Sequence, residues 1–92
     1  CDRGEAADFL RGQRTAPGGD FPMNTAGGGL SYTHPGMYGS FLLVEAVRQL
    51  RGEAGDRQVK SKKDASQNPK ISIVNGTGGS LSSTGTVVLA TG

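Results

Sequence analysis

Material for a hydrophobic core is scarce in this sequence. There is no Trp, there are two Tyr and three Phe, and 34% of the 92 residues are hydrophobic. Sixteen residues are glycine instead, and glycine loses more backbone entropy on folding than any other residue. A chain of this length buries only a modest core. We therefore expect the chain to pack against another subunit, or to be part of a longer polypeptide, called the parent protein below.

Several functional classes are excluded by what is absent. No apolar run approaches the roughly 20 residues that a membrane-spanning helix needs. The net charge is +2 and the basic residues do not cluster with aromatic ones, so we expect no nucleic-acid partner. No pair of Cys or His residues has metal-ligand spacing, so we expect no metal site. Cys1 is the one cysteine of the sequence; it allows no internal disulfide and fits a reducing, cytoplasmic location.

A short basic stretch contains Lys60, Lys62 and Lys63. Such a stretch is more often a solvated loop, and we favour that interpretation. The alternative is an electrostatic handle for a ligand that carries phosphate groups.

One helix dominates the predicted secondary structure, from Pro35 to Arg51. Leu43, Val47 and Leu50 have the i, i+4, i+7 spacing of a helix face. Residues 41–44 are apolar all round, which is typical of a helix buried on several sides. Gly52 is the expected stop.

Two strands are predicted near the end of the chain, over residues 70–74 and 84–90. A glycine-rich connection over residues 75–80 separates them. The order of helix, strand, glycine loop and strand predicts an α/β unit.

The sequence pattern divides the chain into four segments, of which the first is called the lead-in and the third the connection. Residues 1–29 form the lead-in, with a short helical pattern within 1–12. Residues 30–51 hold the histidine motif and the helix, with a short extended piece at 30–32. Residues 52–70 read as an exposed polar connection, and residues 71–92 hold the two strands.

His34 is the strongest candidate for chemistry, because histidine titrates near neutral pH. A lone histidine is more often structural. This one, however, is predicted to lie at or next to the N-cap of the helix, with Pro35 at the first helical position. Glycines on both sides of it would let a ligand approach the backbone closely, and we take Gly28, Gly29 and Gly36 as candidate substrate-binding residues.

The glycine-rich connection is the second candidate. Its free backbone N–H groups could form a nest for an oxyanion, which would make Gly76, Gly78 and Gly79 substrate-binding residues. The alternative is an ordinary hairpin turn. No phosphate-loop or dinucleotide-binding pattern is present.

Tyr32 and Tyr38 flank His34, and either hydroxyl could donate a proton or stabilise an enolate. The alternative, which we favour slightly, is that both are packing residues. No nucleophile is convincing, since Cys1 is terminal and the serines near the end of the chain form no elbow motif. The chain therefore reads as half of an active site.

These motifs resemble the thiolase superfamily. The stretch GGLSYTHPG at residues 28–36 is similar to the GG…GHPxG active-site motif of that family. The stretch VRQLRGEAGDRQV at residues 47–59 resembles the sterol-carrier-protein branch, whose bacterial members are called lipid-transfer-protein-like thiolases. The block from 71 to 89 looks like the last two strands and their catalytic glycine loop.

The resemblance implies a place in the C-terminal part of a five-layered α/β/α/β/α fold. It also implies an acyl-CoA substrate, no tightly bound cofactor, and a parent protein that forms dimers or tetramers. In the family, a cysteine from the N-terminal half is acylated, and the histidine of the HP motif activates it. By this resemblance His34 takes that role, and the missing half or another subunit supplies the nucleophile.

Two departures from the family pattern affect the expected reaction. Thr33 replaces the glycine before the HP pair, and Asn75 stands where a second catalytic Cys or His is expected. An amide cannot act as a general base, but it can hydrogen-bond a thioester oxygen or position a water.

Three functions follow from the resemblance. The leading hypothesis is a thiolase-like acyltransferase acting on a 3-oxoacyl-CoA. The second is an aldol lyase for a β-hydroxyacyl-CoA of the steroid side-chain type, working beside an OB-fold partner and using Tyr32 or Tyr38. The third is a non-catalytic lipid-binding or CoA-binding module. We expect no catalysis by the isolated chain.

Overall fold

The computed structural model describes residues 1–32, 37–61, 64 and 66–92. Helix α1 spans Ala6–Leu10 and helix α2 spans Tyr38–Arg51. Strands β1, Ile71–Gly78, and β2, Ser83–Ala90, form an antiparallel pair. Single 3-10 turns occur at Gly28–Leu30 and Gly55–Arg57. The described part of the chain is thus a small mixed α/β unit, as predicted, and neither of its helices has the length and apolar character to cross a bilayer.

Helix α2 begins later than the sequence predicts. Its N-cap is Met37, which has a left-handed backbone with φ of 58° and makes no capping hydrogen bond through its side chain. The predicted start at Pro35 and the predicted place of His34 at the N-cap fall on residues outside the described part of the chain. The predicted stop is confirmed: Gly52 is left-handed with φ of 75°, and the Glu53 N–H donates to the Arg48 carbonyl at 2.8 Å, which closes the last turn.

Burial on α2 is confined to one side. Glu45, Ala46, Gln49 and Leu50 are buried. The apolar side chains on the rest of the surface are exposed: Leu43, Val44 and Val47. Within this chain the hairpin and the connection cover one side of the helix only, so burial on several sides stays a prediction for the parent protein. An apolar surface of this kind on a helix fits the expectation that more protein packs against it.

The hairpin is longer than predicted, and its turn is shorter. Residues 75–78, which we assigned to the connection, pair with residues 83–86 of β2. The turn is left to residues 79–82, where the Ser82 N–H donates to the Gly78 carbonyl at 3.2 Å. Gly76 lies opposite Gly85. The ladder hydrogen bonds between the strands outweigh the low strand propensity of the glycines.

The two faces of the hairpin differ. Successive side chains of a strand point to opposite faces. Val74 is buried, on the face that packs on α2, and forms the small core with Ala46, Leu50 and Ala54. The opposite, outward face carries the exposed Ile73 and its partner Val88.

We predicted that the connection after α2 is exposed, but parts of it are buried. Ala54 is 3% exposed, and the stretch from Arg57 to Val59 is half-buried. The predicted extended piece at 30–32 is also wrong, because a 3-10 turn occupies Gly28–Leu30 and Ser31 continues with a helical backbone.

The lead-in is fixed by local contacts. Phe9 of α1 packs edge-on against Phe21 with ring centroids 5.4 Å apart. The Arg14 guanidinium lies 4.4 Å above the Phe9 ring and binds both carboxylate oxygens of Asp20 at 2.9 Å. The two hydrogen bonds that Arg14 donates to Asp20 raise the pKa of Arg14 above its ordinary value.

Candidate active site

One stripe of α2 organises the candidate site. Tyr38, Phe41, Glu45 and Gln49 follow at i, i+3, i+7 and i+11, so they share a face of the helix. The first two residues are aromatic and the last two are polar and buried. The segment from Thr25 to Tyr32 contacts both halves of this stripe.

The aromatic half of the stripe packs against Tyr32. The Tyr32 ring stacks on Phe41 with centroids 4.8 Å apart and planes inclined by 22°. The ring centroid of Tyr38 lies 6.2 Å from that of Tyr32 and 6.4 Å from that of Phe41. Aromatic pairs at such distances contribute about 0.5–1.5 kcal/mol beyond their burial. The structure therefore brings the two predicted tyrosines together in one cluster.

The Tyr38 hydroxyl is buried and has no hydrogen-bond partner among the described residues. It lies beside Gly28, where a Cβ atom would be 3.9 Å from the hydroxyl oxygen. Gly28 also has φ of 69°, a left-handed conformation that favours glycine. A buried hydroxyl without a partner costs about 1–3 kcal/mol, so this group is an unusual feature of the described structure.

The polar half of the stripe holds a dense cluster of hydrogen bonds. The Glu45 carboxylate accepts bonds from Thr25 Oγ1 at 2.9 Å, Gln49 Nε2 at 3.0 Å and Arg57 Nη2 at 2.9 Å. Gln49 Nε2 also donates to the Arg57 carbonyl, and Gln49 Oε1 accepts from the Val59 N–H at 2.8 Å. These bonds tie the lead-in and the connection to the same face of α2.

Opposing effects act on the charge of Glu45. Burial disfavours its ionised form, but the hydrogen bonds from Arg57, Gln49 and Thr25 together outweigh burial and lower the pKa of Glu45 below its ordinary value. The same ion pair raises the pKa of Arg57, with a smaller contribution from Tyr32. Glu45 and Arg57 are therefore both charged at neutral pH, and Tyr32 lies within electrostatic reach of Arg57.

Sequence reasoning missed this polar cluster. The signal was present as Glu45 and Gln49, two polar residues four apart inside an otherwise apolar helix. What the sequence could not show is that Arg57 and Thr25, on either side of the helix in the chain, meet them in space.

Asn75 lies on the outward face of the hairpin, opposite Thr86. Its side-chain oxygen accepts hydrogen bonds from the hydroxyls of Thr86 at 2.7 Å and Thr84 at 3.1 Å. The Thr84 hydroxyl also lies within hydrogen-bond distance of the Gly76 carbonyl oxygen. Since α2 packs on the other face, the described structure does not bring Asn75 together with the two tyrosines. The catalytic role predicted for Asn75 stays a prediction.

The remaining predicted site residues separate into three groups. His34 and Gly36 lie outside the described residues, as do Lys62 and Lys63. Gly29 follows Gly28 in the 3-10 turn. Gly76 and Gly78 lie within β1 and Gly79 lies in the turn, with φ of 61°.

Residues 75–78 lie within a strand and do not form a nest, whereas the rest of the predicted nest lies in the turn. Consecutive N–H groups of a strand point to opposite sides, so those of residues 75–78 cannot converge on one oxyanion. The alternative interpretation, an ordinary hairpin, agrees with the structure. The substrate-binding role of these glycines stays a prediction.

The comparison with known families decides the relationship. The family described as thiolase C-terminal domain-like matches residues 1–91. The chain belongs to this family. The predicted resemblance is thereby confirmed for nearly the whole length of this thiolase C-terminal domain.

Three curated relatives place this thiolase C-terminal domain more closely. It is 48% identical over 54 residues to a 17-hydroxy-3-oxo-4-pregnene-20-carboxyl-CoA lyase of Mycobacterium tuberculosis, covering 56% of the chain and 13% of that protein. It is 42% identical over 60 residues to an acetyl-CoA acetyltransferase of Methanothermobacter thermautotrophicus, covering 64% and 16%. It is 44% identical over 69 residues to human sterol carrier protein 2, covering 73% and 12%.

The chain thus spans 12–16% of the length of these relatives. They agree with the predicted sterol-carrier-protein branch of the superfamily. No solved structure matches the chain significantly.

Proposed function

We propose that the parent protein makes or breaks a carbon–carbon bond in an acyl-CoA, and that this chain supplies part of the catalytic site. The family membership supports this proposal. So do the names of the relatives, which describe a lyase for a carboxyl-CoA and an acetyltransferase that uses acetyl-CoA. Coenzyme A enters as the thioester of the substrate, and no tightly bound cofactor is proposed.

Aldol cleavage of a β-hydroxyacyl-CoA has better support than thiolysis of a 3-oxoacyl-CoA. The observation that carries it is the Tyr38 hydroxyl, which is buried beside Gly28 without a partner among the described residues and belongs to the same aromatic cluster as Tyr32. Thiolysis, by resemblance to the family, uses a second Cys or His where this chain has Asn75. Asn75 does not titrate, whereas a phenol can donate a hydrogen bond or a proton.

In the proposed cleavage, His34 and a tyrosine have separate chemical roles. A base, for which His34 is the candidate, takes the proton of the β-hydroxyl group. The O–H electrons form a carbonyl while the bond between the α and β carbons breaks, and those electrons pass to the thioester as an enolate. A tyrosine hydroxyl donates a hydrogen bond to the enolate oxygen, where charge develops. Protonation of the α carbon then releases a shorter acyl-CoA and a ketone or aldehyde.

Assays of the parent protein with two substrates test the reaction class. We expect cleavage of a β-hydroxyacyl-CoA without added thiol, and little thiolysis of a 3-oxoacyl-CoA by free CoA. The opposite preference would restore the thiolase-like acyltransferase as the leading function. Turnover of neither substrate would contradict both reactions.

Single Tyr→Phe variants test the residue roles. Loss of an oxyanion donor costs about 10²–10³-fold in kcat, so we expect Tyr38→Phe to lower kcat in that range. Tyr32→Phe keeps the ring that stacks on Phe41 and removes only the hydroxyl, so a change in kcat would report on the hydroxyl and not on packing. If both variants cleave the substrate at the wild-type rate, the tyrosines have no part in the reaction.

A non-catalytic lipid-binding or CoA-binding module is the second candidate, favoured by the similarity to sterol carrier protein 2. Titration of the parent protein with an acyl-CoA under conditions without turnover distinguishes it. Binding without any cleavage or thiolysis is the expected result for such a module. Association with an OB-fold protein, and a dimeric or tetrameric parent protein, are further parts of the proposal that sedimentation of the purified complex would test.

A further inference from the structure

The segment that carries Gly28 and Tyr32 is held at both of its ends by one face of α2. At its beginning, Thr25 Oγ1 donates to Glu45 and accepts from Gln49 Nε2 at 3.2 Å. At its end, Tyr32 stacks on Phe41. The segment between these two attachments contains the Gly28–Leu30 turn, which lies beside the Tyr38 hydroxyl.

The polar attachment is built around two buried side chains, Glu45 and Gln49, that each make several hydrogen bonds. Glu45 is buried, and both of its carboxylate oxygens are used, one by Thr25 and Gln49 and the other by Arg57. Gln49 is buried and uses both ends of its amide. Arg57 belongs to the connection after α2, so this cluster fixes the spacing between three separate parts of the chain.

We infer that Glu45, Gln49 and Arg57 are positioning residues that act through Thr25 to hold the Thr25–Tyr32 segment against the Tyr38 hydroxyl. This inference rests on the proposed function. None of the three residues needs to contact the substrate. They set the distances from the Tyr38 hydroxyl to Gly28 and to Tyr32. A misplacement of about 1 Å in a catalytic site can cost about 10²-fold in rate.

The lowered pKa of Glu45 agrees with this arrangement, because an ionised carboxylate is the form that accepts all of these hydrogen bonds. The groups that face Glu45 from other elements are the Thr25 hydroxyl and the Arg57 guanidinium.

The mildest test removes one hydroxyl. Thr25→Val keeps the size of the side chain and leaves Glu45 bonded to Gln49 and Arg57, whereas Thr25→Ser keeps the hydroxyl. In the parent protein, hydrogen–deuterium exchange of the peptide covering residues 25–32 measures the attachment directly. Steady-state kinetics with a β-hydroxyacyl-CoA measure kcat and KM separately.

We expect Thr25→Val to speed exchange in residues 25–32 by about 10-fold, which corresponds to a loss near 1.4 kcal/mol, and to lower kcat by about 10–100-fold. KM is expected to change less than kcat, because the hydrogen bond from the tyrosine strengthens as charge develops in the transition state. Thr25→Ser should restore both values. Glu45→Gln, a second variant at the other side of the same bond, should change both readouts in the same direction as Thr25→Val.

Asp8→Asn is the matched control, because it removes an exposed ion pair with Arg11 that lies far from these contacts in the chain. Unchanged exchange in Thr25→Val and Glu45→Gln would overturn the inference, and so would faster exchange with an unchanged kcat. If the wild-type parent protein turns over no acyl-CoA, the proposed function fails. In that event exchange alone decides: faster exchange supports the positioning role, and unchanged exchange overturns it.

Discussion

The Glu45 carboxylate and the Arg57 guanidinium lie 2.9 Å apart and join α2 to the connection that follows it. The side chain of Glu45 is 9% exposed and that of Arg57 is 41% exposed. The pair is therefore buried at its acidic end and solvated at its basic end. Such a pair contributes more through the geometry it fixes than through its net stability.

The first prediction concerns pH. Because the pKa of Glu45 is lower in the folded state than the ordinary 4.5, its contribution to stability is present above that value and is lost as pH falls through the folded pKa. Thermal unfolding of the parent protein should show a decline below about pH 4.5 that is weaker in Glu45→Gln. Equal pH dependence in both proteins would contradict the assigned role of the carboxylate.

The second prediction separates stability from activity at Tyr38. Tyr38→Phe removes a buried hydroxyl that lacks a partner among the described residues, so we expect unchanged or higher stability, by up to about 1–3 kcal/mol. The same variant should lose activity. Denaturant titration alongside kinetics measures both quantities. A clear loss of stability would mean that the hydroxyl has a partner in the native protein.

The third prediction compares two neighbouring glycines. Gly28 has φ of 69°, and a Cβ there would lie 3.9 Å from the Tyr38 hydroxyl, whereas a Cβ on Gly29 would meet no atom within 4 Å. Gly28→Ala should therefore destabilise the protein by about 1–2 kcal/mol, the cost of a left-handed backbone. Gly29→Ala should cost less. Denaturant midpoints of the two variants provide the comparison, and equal costs would argue against a left-handed Gly28.

The fourth prediction concerns the small core. Leu50 is 8% exposed, and truncation of a buried leucine costs about 2–5 kcal/mol. We expect Leu50→Ala to fall in this range. Leu81, 87% exposed in the hairpin turn, is the matched control, and Leu81→Ala should change stability by less than about 0.5 kcal/mol. Similar losses in both variants would show that other protein covers the turn.

The elements that depend on local pattern were predictable. The spacing of Leu43, Val47 and Leu50 and the glycine at position 52 correctly indicated the body and the end of α2. The β-branched runs indicated both strands. The beginning of α2 was missed because Met37 adopts a left-handed backbone without a side-chain cap, and nothing in a methionine predicts that. The length of β1 was missed because cross-strand pairing, which is a tertiary property, extended it through Gly76 and Gly78.

The sequence by itself determined the family, the candidate histidine, and the shortage of apolar residues that makes further packing expected. Its motifs are short and contiguous, so they can be read without coordinates. Only the tertiary structure decided that Tyr32 and Tyr38 meet, that Asn75 faces away from them, and that Thr25, Glu45 and Arg57 form one cluster. These contacts join residues from separate segments of the chain. Their geometry depends on how α2 packs, which no local pattern specifies.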